Sequence, residues 1–133
     1  MSYLLDTHTF IWAVLETTSL GAKGKEIIFN KHNEIFVSTV SFWEISLKTS
    51  RKMFSFGNID VRDFPQYARD MDFTIMDMQG NESITFHELP LKKNHSDPFD
   101  RMLIWQAITK SLTMISKDGL FEQYSEDGLK LIW

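Results

Sequence analysis

The chain has 133 residues, 43% of them hydrophobic and 24% charged, which is enough for one domain with a three-layer core and too few for two independent ones. Fourteen basic residues against 18 acidic ones leave a formal charge of −4, which argues against a protein that lives by binding phosphate backbone through a basic surface. There is no cysteine, so disulfides and thiolate metal sites are excluded, and any metal must be held by oxygen or imidazole.

Short apolar runs alternate with longer amphipathic segments, the β-α-β-α pattern of a parallel sheet covered on both faces. Tyr3 to Leu5 reads as the first strand, followed by a short helix over Phe10 to Leu15 and a second over Gly21 to Lys31, entered near Ser19. Glu34 to Val37 is the second strand. From Thr39 the spacing of Phe42, Ile45 and Leu47 predicts a helix whose basic end, Lys48, Arg51 and Lys52, complements its dipole. Ser41 and Glu44 stand in the S-x-x-E order of a capping box. Phe54 to Asn58 is a turn or small ribbon, Asp60 to Met71 a helix broken or started by Pro65, and Phe73 to Met76 a short strand.

Gly80 to His87 is a short helix candidate, and Leu89 to Ser96 a polar connection. Asp97-Pro98 then puts proline at the first position of a helix running to about Lys110, with Leu103, Ile104, Ala107 and Ile108 as its apolar stripe. Leu112 to Ile115 reads as a buried strand, Asp118 to Phe121 as a short turn of helix, and Leu129 to Trp133 as a terminal strand. Trp12, Trp43 and Trp105 lie at helical positions and are expected mostly in the core. The first residues have no basic segment and no small-residue cleavage site, and no stretch approaches the roughly 18 apolar residues of a membrane span, so the expectation is a cytoplasmic protein.

Strands of a parallel sheet point their carboxyl ends to one edge, and ligands collect there. Asp6 follows the first strand and Asp118 closely follows the fourth, while Glu44 and Asp100 lie in the first turns of the helices after the second strand and before the fourth. Each acid also has an ordinary structural reading. Asp6 suits the N-cap of a helix over Thr7 to Leu15, Glu44 a capping-box partner, Asp100 a first-turn acid, and Asp118 an N-cap or turn before Gly119. Brought together, however, four carboxylates repel, and the arrangement calls for a cation among them. Oxygen ligands without cysteine suit Mg²⁺ or Mn²⁺. Such dications reverse the local sign, which reconciles an acidic chain with a phosphodiester substrate.

The segments YLLDTHTFIW, VSTVSFWEISLK, HSDPFDRMLIWQA and LTMISKD, in this order, resemble the PIN domain family, and within it the VapC-like toxins of bacterial toxin–antitoxin pairs. The resemblance covers essentially the whole chain. It implies an α/β fold, a three-layer α/β/α arrangement around a parallel sheet of about five strands, and a Mg²⁺- or Mn²⁺-dependent endoribonuclease. By motif it assigns Asp6, Glu44, Asp100 and Asp118 as the metal-binding and catalytic acids, Asp6 and Asp100 centrally. Thr7 and Ser116 resemble hydroxyl helpers, and Asp97 suits an N-cap before Pro98 better than a ligand. His8 and His95 flank two motifs and are placed either against substrate or a metal or, as a single histidine beside an N-cap more often is, in packing or hydrogen-bonding roles. Arg101 and Lys117 are placed either against phosphate or on a solvated face, and Lys48, Arg51 and Lys52 on an RNA-facing patch or a plain basic helix end.

The implied partners are an RNA substrate, a separate antitoxin polypeptide and a second copy of the chain. Two other readings compete with the enzyme. One is a PIN domain that binds a partner without catalysis; the other is a receiver-like signalling module, which also gathers acids at the edge of a parallel sheet but would need a phosphoacceptor Asp at the end of a central strand, where this chain has Phe36-Val37-Ser38.

Overall fold

Tyr3, Leu4 and Leu5 are all buried in the first strand, β1 (Ser2–Leu5), although successive strand residues point to opposite faces, so both faces of β1 are covered. The computed structural model describes all 133 residues. With β2 (Glu34–Ser38), β3 (Thr74–Met76), β4 (Thr113–Ile115) and β5 (Lys130–Ile132), β1 forms one sheet in the order β3-β2-β1-β4-β5. Every neighbouring pair is parallel, Leu4 standing opposite Phe36 on one side and Met114 on the other.

The helices are α1 (Thr7–Leu15), α2 (Ala22–Ile28), α3 (Thr39–Ser50), α4 (Phe64–Asp70), α5 (Gly80–Thr85) and α6 (Pro98–Thr109). On one face Tyr3, Leu5, Ile35, Val37 and Ile115 pack with Phe10 of α1, Ile28 of α2 and Phe64 and Ala68 of α4. On the other, Leu4, Met76 and Met114 meet Leu103, Ile104 and Ala107 of α6. The expected three-layer α/β/α arrangement is therefore the observed one. Helix α3 serves both layers, sending Ile45 into the first cluster and Val40 into the second. No helix is long and apolar enough to cross a membrane.

Element boundaries depart from the sequence reading where side chains compete with the backbone. Helix α2 ends at Ile28 rather than near Lys31, because Asn33 Nδ2 donates to the Ile27 carbonyl at 3.1 Å and Asn30 Oδ1 accepts from the His32 amide at 2.9 Å. The region expected as one helix from Asp60 begins as a 3₁₀ turn, Val61–Asp63, before α4. After β4, the short turn expected at Asp118 to Phe121 is a longer 3₁₀ segment, Gly119–Asp127. Three residues per turn keep Phe121 and Tyr124 on one face, and both are buried. The segment ends at Gly128, whose φ of 107° suits glycine.

A buried polar chain ties the second layer to the sheet. Ser38 Oγ donates to Gln106 Oε1 at 2.7 Å, and Gln106 Nε2 donates to Glu82 Oε1 at 3.1 Å, which also accepts from the Gln79 amide at the start of α5. Leu4, fully buried at the centre of the sheet, should be the most sensitive apolar position: Leu4→Ala is expected to remove about 3 kcal/mol of unfolding free energy. Urea denaturation followed by tryptophan fluorescence measures it, and a loss below about 1 kcal/mol would mean the centre of the core is not closed as described.

Candidate active site

Two neighbouring strands start the site. The amide of Asp6, just past β1, donates to the Ile115 carbonyl at 3.3 Å, which sets Asp6 beside Ser116 at the carboxyl edge of the sheet. Asp6 Oδ2 accepts from Ser116 Oγ at 2.5 Å, and its Oδ1 accepts from the Thr9 amide at 2.8 Å. The carboxylate thus caps α1 and faces the edge at once. Burial pushes its pKa up, against the hydrogen bonds from Ser116 and Thr9 that favour the charged form. Ser116 Oγ also accepts from the Asp118 amide at 3.1 Å, turning the chain so that Asp118 lies beside the same edge, where it caps the 3₁₀ segment through Leu120.

Glu44 arrives from α3, and its position differs from the capping-box expectation. Strand β2 runs one residue further than expected, Ser38 becomes the helix cap by accepting from the Val40 amide, and the N3 position falls on Ser41. The Ser41 hydroxyl accepts from Thr7 Oγ1 at 3.0 Å instead, so Thr7 ties α1 to α3. Glu44, 1% exposed, is left in the second turn with one oxygen, Oε2, ion-paired to Lys48. Its other oxygen, Oε1, is buried with no hydrogen-bond partner.

Helix α6 supplies the remaining acids. Asp97 caps it by accepting from the Asp100 amide at 2.8 Å, as expected, and its carboxylate also stands in the cluster: ligand oxygens of Glu44, Asp97 and Asp100 lie within 4.8 Å of one another. His95 Nε2 and oxygens of Asp100 and Asp118 form a second such group, with Asp100 common to both. Burial, then the charges of Asp97, Glu44, Asp6 and Asp118, push the Asp100 carboxyl up to about 8.

Asp6, Glu44, Asp100 and Asp118 line one cleft of about 320 Å³. Lys48, Lys117, His8 and Trp12 line it with them. Lys48 is not a plain helix end. Its ammonium lies over the rings of Phe54 and Phe99, 5.5 and 5.9 Å from their centres, and although burial lowers its pKa, Glu44, Asp97 and Asp100 hold it above the usual value. Arg51 and Lys52 are exposed and outside the cleft. Arg101 takes neither expected place: it is buried, with Nη2 donating to the carbonyls of Leu89 and Pro90. Its place in the Asp97-Pro98-Phe99-Asp100-Arg101 run could not reveal this, because the acceptors are backbone carbonyls. Trp43, expected in the core, is 58% exposed and packs edge-on against Phe99 at 5.0 Å.

The donor set fits a hard dication. It is rich in carboxylate oxygen, it carries unrelieved like-charge repulsion around Asp100, and it leaves a buried oxygen of Glu44 with nothing to bind. Lys48 supplies part of the missing positive charge from one side only.

The family model described as PIN domain matches residues 3–127. The chain belongs to the PIN domain family. Its fold also matches solved structures at low identity. One is VapBC2 from Rickettsia felis bound to a DNA fragment from its promoter, with a TM-score of 0.65 and 16% identity over 99% of this chain and 98% of that one. DNA-bound VapBC from Salmonella typhimurium matches with a TM-score of 0.66 and 14% identity over 99% and 97%. A domain of a functionally unknown protein from Methanocaldococcus jannaschii matches with a TM-score of 0.58 and 13% identity over 99% and 89%. No curated protein matches the chain. The strand order of this PIN domain, with β1 in the middle, also differs from the 2-1-3-4-5 order of receiver-like modules.

The raised Asp100 pKa has a stability consequence for the metal-free PIN domain. An acid whose folded pKa lies above its unfolded value of 3.8 contributes stability at low pH and loses it as pH rises through about 8. In EDTA, Asp100→Asn should therefore melt several degrees above the wild type at pH 8, and the gap should narrow toward pH 5. Thermal denaturation at the two pH values checks this; an unchanged or lower melting temperature at pH 8 would show that the acids do not repel as placed.

Proposed function

We propose that this PIN domain is a metal-dependent endoribonuclease and the toxin of a toxin–antitoxin pair. The observation that carries the reading is the convergence of Asp6, Glu44, Asp100 and Asp118, from four separate segments of the chain, on one cleft in which a buried oxygen of Glu44 has no partner. These four acids, with Asp97 beside them, would hold Mg²⁺ or Mn²⁺. When bound, the dication supplies activation of a water and stabilisation of the leaving oxygen.

The chain's own residues do the rest. Ser116 and the Thr9 amide hold both oxygens of Asp6 in place, and Lys48 holds Glu44 Oε2, leaving the buried Oε1 without a partner. Lys48 and Lys117 put positive charge on the cleft wall for a phosphodiester, and Trp12 with His8, ring centroids 5.8 Å apart, offers flat surface for a nucleobase. In the hydrolysis, the bond from water oxygen to phosphorus forms and the bond from phosphorus to the 3′ oxygen breaks. One water proton ends on that oxygen, leaving 5′-phosphate and 3′-hydroxyl ends.

Two of the solved structures with this fold are VapBC assemblies, which supports a separate antitoxin polypeptide as partner of this chain. Exposed apolar side chains such as Trp43 and Ile84 offer surface for that partner or for a second copy, making a homodimer. The proposed setting is the cytoplasm, where RNA is within reach.

Cleavage of a folded RNA by the purified chain in Mg²⁺ or Mn²⁺, compared with EDTA and with Asp6→Asn, tests the reading. Cleavage should require the dication and fall about a hundredfold or more in the variant, with the fold kept because asparagine can still cap α1. A folded, metal-binding chain that cuts none of several RNA classes would instead indicate a domain that only binds a partner.

A further inference from the structure

His95 lies in the connection before α6 and is almost fully enclosed, its side chain only 4% exposed. Its ring sits edge-on to Phe121 and Tyr124, each 5.3 Å away between centroids. Nδ1 lies 2.7 Å from the Tyr124 hydroxyl, which also accepts from Arg101 Nε at 3.4 Å. Packing and this hydrogen bond together leave the ring one orientation. Its other nitrogen, Nε2, is buried without a hydrogen-bond partner and faces the acids, 3.7 Å from Asp100 Oδ2. That separation is too long for a hydrogen bond. A histidine whose one nitrogen is held by a supporting group while the other faces carboxylates has the arrangement of a metal ligand.

We propose that His95 Nε2 joins Asp100 and Asp118 as a nitrogen ligand of the centre, making a mixed nitrogen–oxygen position suited to a first-row transition dication. The inference rests on the metal-dependent reading above and assigns the site a ligand that the four acids do not include.

Ligand atoms on opposite sides of one ion with bonds of about 2.1 Å stand about 4.2 Å apart. The ligand atoms of His95, Asp100 and Asp118 lie within 4.8 Å of one another, so small side-chain shifts close the set around an ion. Asp100 is shared between this nitrogen-containing group and the oxygen-only group that it makes with Glu44 and Asp97. Mg²⁺ keeps to oxygen, whereas transition dications gain from imidazole. His95 accordingly tilts the centre toward the latter. Tyr124 is the positioning residue: when Nδ1–H donates to its oxygen, the lone pair of Nε2 is left free for the ion.

Pulsed electron paramagnetic resonance of Mn²⁺ bound to the full chain tests this, because a directly bound imidazole imprints ¹⁴N modulation on the echo. Modulation is expected in the wild type and in His8→Gln, which removes the histidine that lines the cleft, and should vanish in His95→Gln. Competition titrations should show the preference for Mn²⁺ over Mg²⁺ falling about tenfold in His95→Gln. Should His95→Gln fail to fold, the wild-type and His8→Gln spectra still decide. Bound Mn²⁺ without ¹⁴N modulation, or modulation that disappears in His8→Gln, overturns the assignment of His95 while leaving the nuclease reading standing. Failure of Mn²⁺ to bind at all would overturn both.

Discussion

Mutual repulsion among carboxylates at the carboxyl edge of the sheet is the constraint around which this structure is arranged. Asp6, Glu44, Asp97, Asp100 and Asp118 are gathered where β1 and β4 end and in the first turns of α3 and α6, and burial together with the charges of its neighbours pushes the Asp100 carboxyl up. Holding the acids there requires bonds that resist their separation. The fold obtains several of them from helix termini. Asp6 caps α1, Asp97 caps α6 and Asp118 caps the last 3₁₀ segment, so three of the acids are anchored by backbone amides.

Capping and metal binding are therefore compatible uses of the same carboxylates. A cap requires one oxygen aimed at a helix start, and parallel strands deliver helix starts to one edge of the sheet. The residue that ends β1 is at once a cap and a member of the site. Glu44 and Asp100 are the exceptions, since they lie within α3 and α6 and their carboxylates accept from no backbone amide. For Glu44, Lys48 one turn further along supplies the partner, with its ammonium over the rings of Phe54 and Phe99.

Support extends beyond the cleft. Ser38, which caps α3, donates a hydrogen bond to Gln106 of α6, which in turn donates to Glu82 at the start of α5. The helices that carry Glu44 and Asp100 are thus joined through a buried polar chain as well as through apolar contact. Tyr124 plays a similar part on the other side, where its hydroxyl meets both His95 and Arg101. Buried hydrogen-bonded networks of this kind rigidify a core, and here they stand beside the acids.

The sequence by itself determined the succession of strands and helices, the parallel sheet covered on both faces, and the acids that stand at its edge. Apolar period and strand-end position depend on local order, and four of the acids were read from them. Even Asp97, legible as a cap from its place before Pro98, is a cap. Tertiary structure decided what depends on approach between distant segments. It set Lys48 in the cleft rather than on a basic helix end, moved the α3 cap from Ser41 to Ser38, buried Arg101 against the Leu89 and Pro90 carbonyls, and aimed His95 at Asp100. The Leu89 and Pro90 carbonyls reach Arg101 only when the layers pack, while Lys48, Ser38 and His95 have partners near in sequence and it was the packing around them that decided which of several local roles each took.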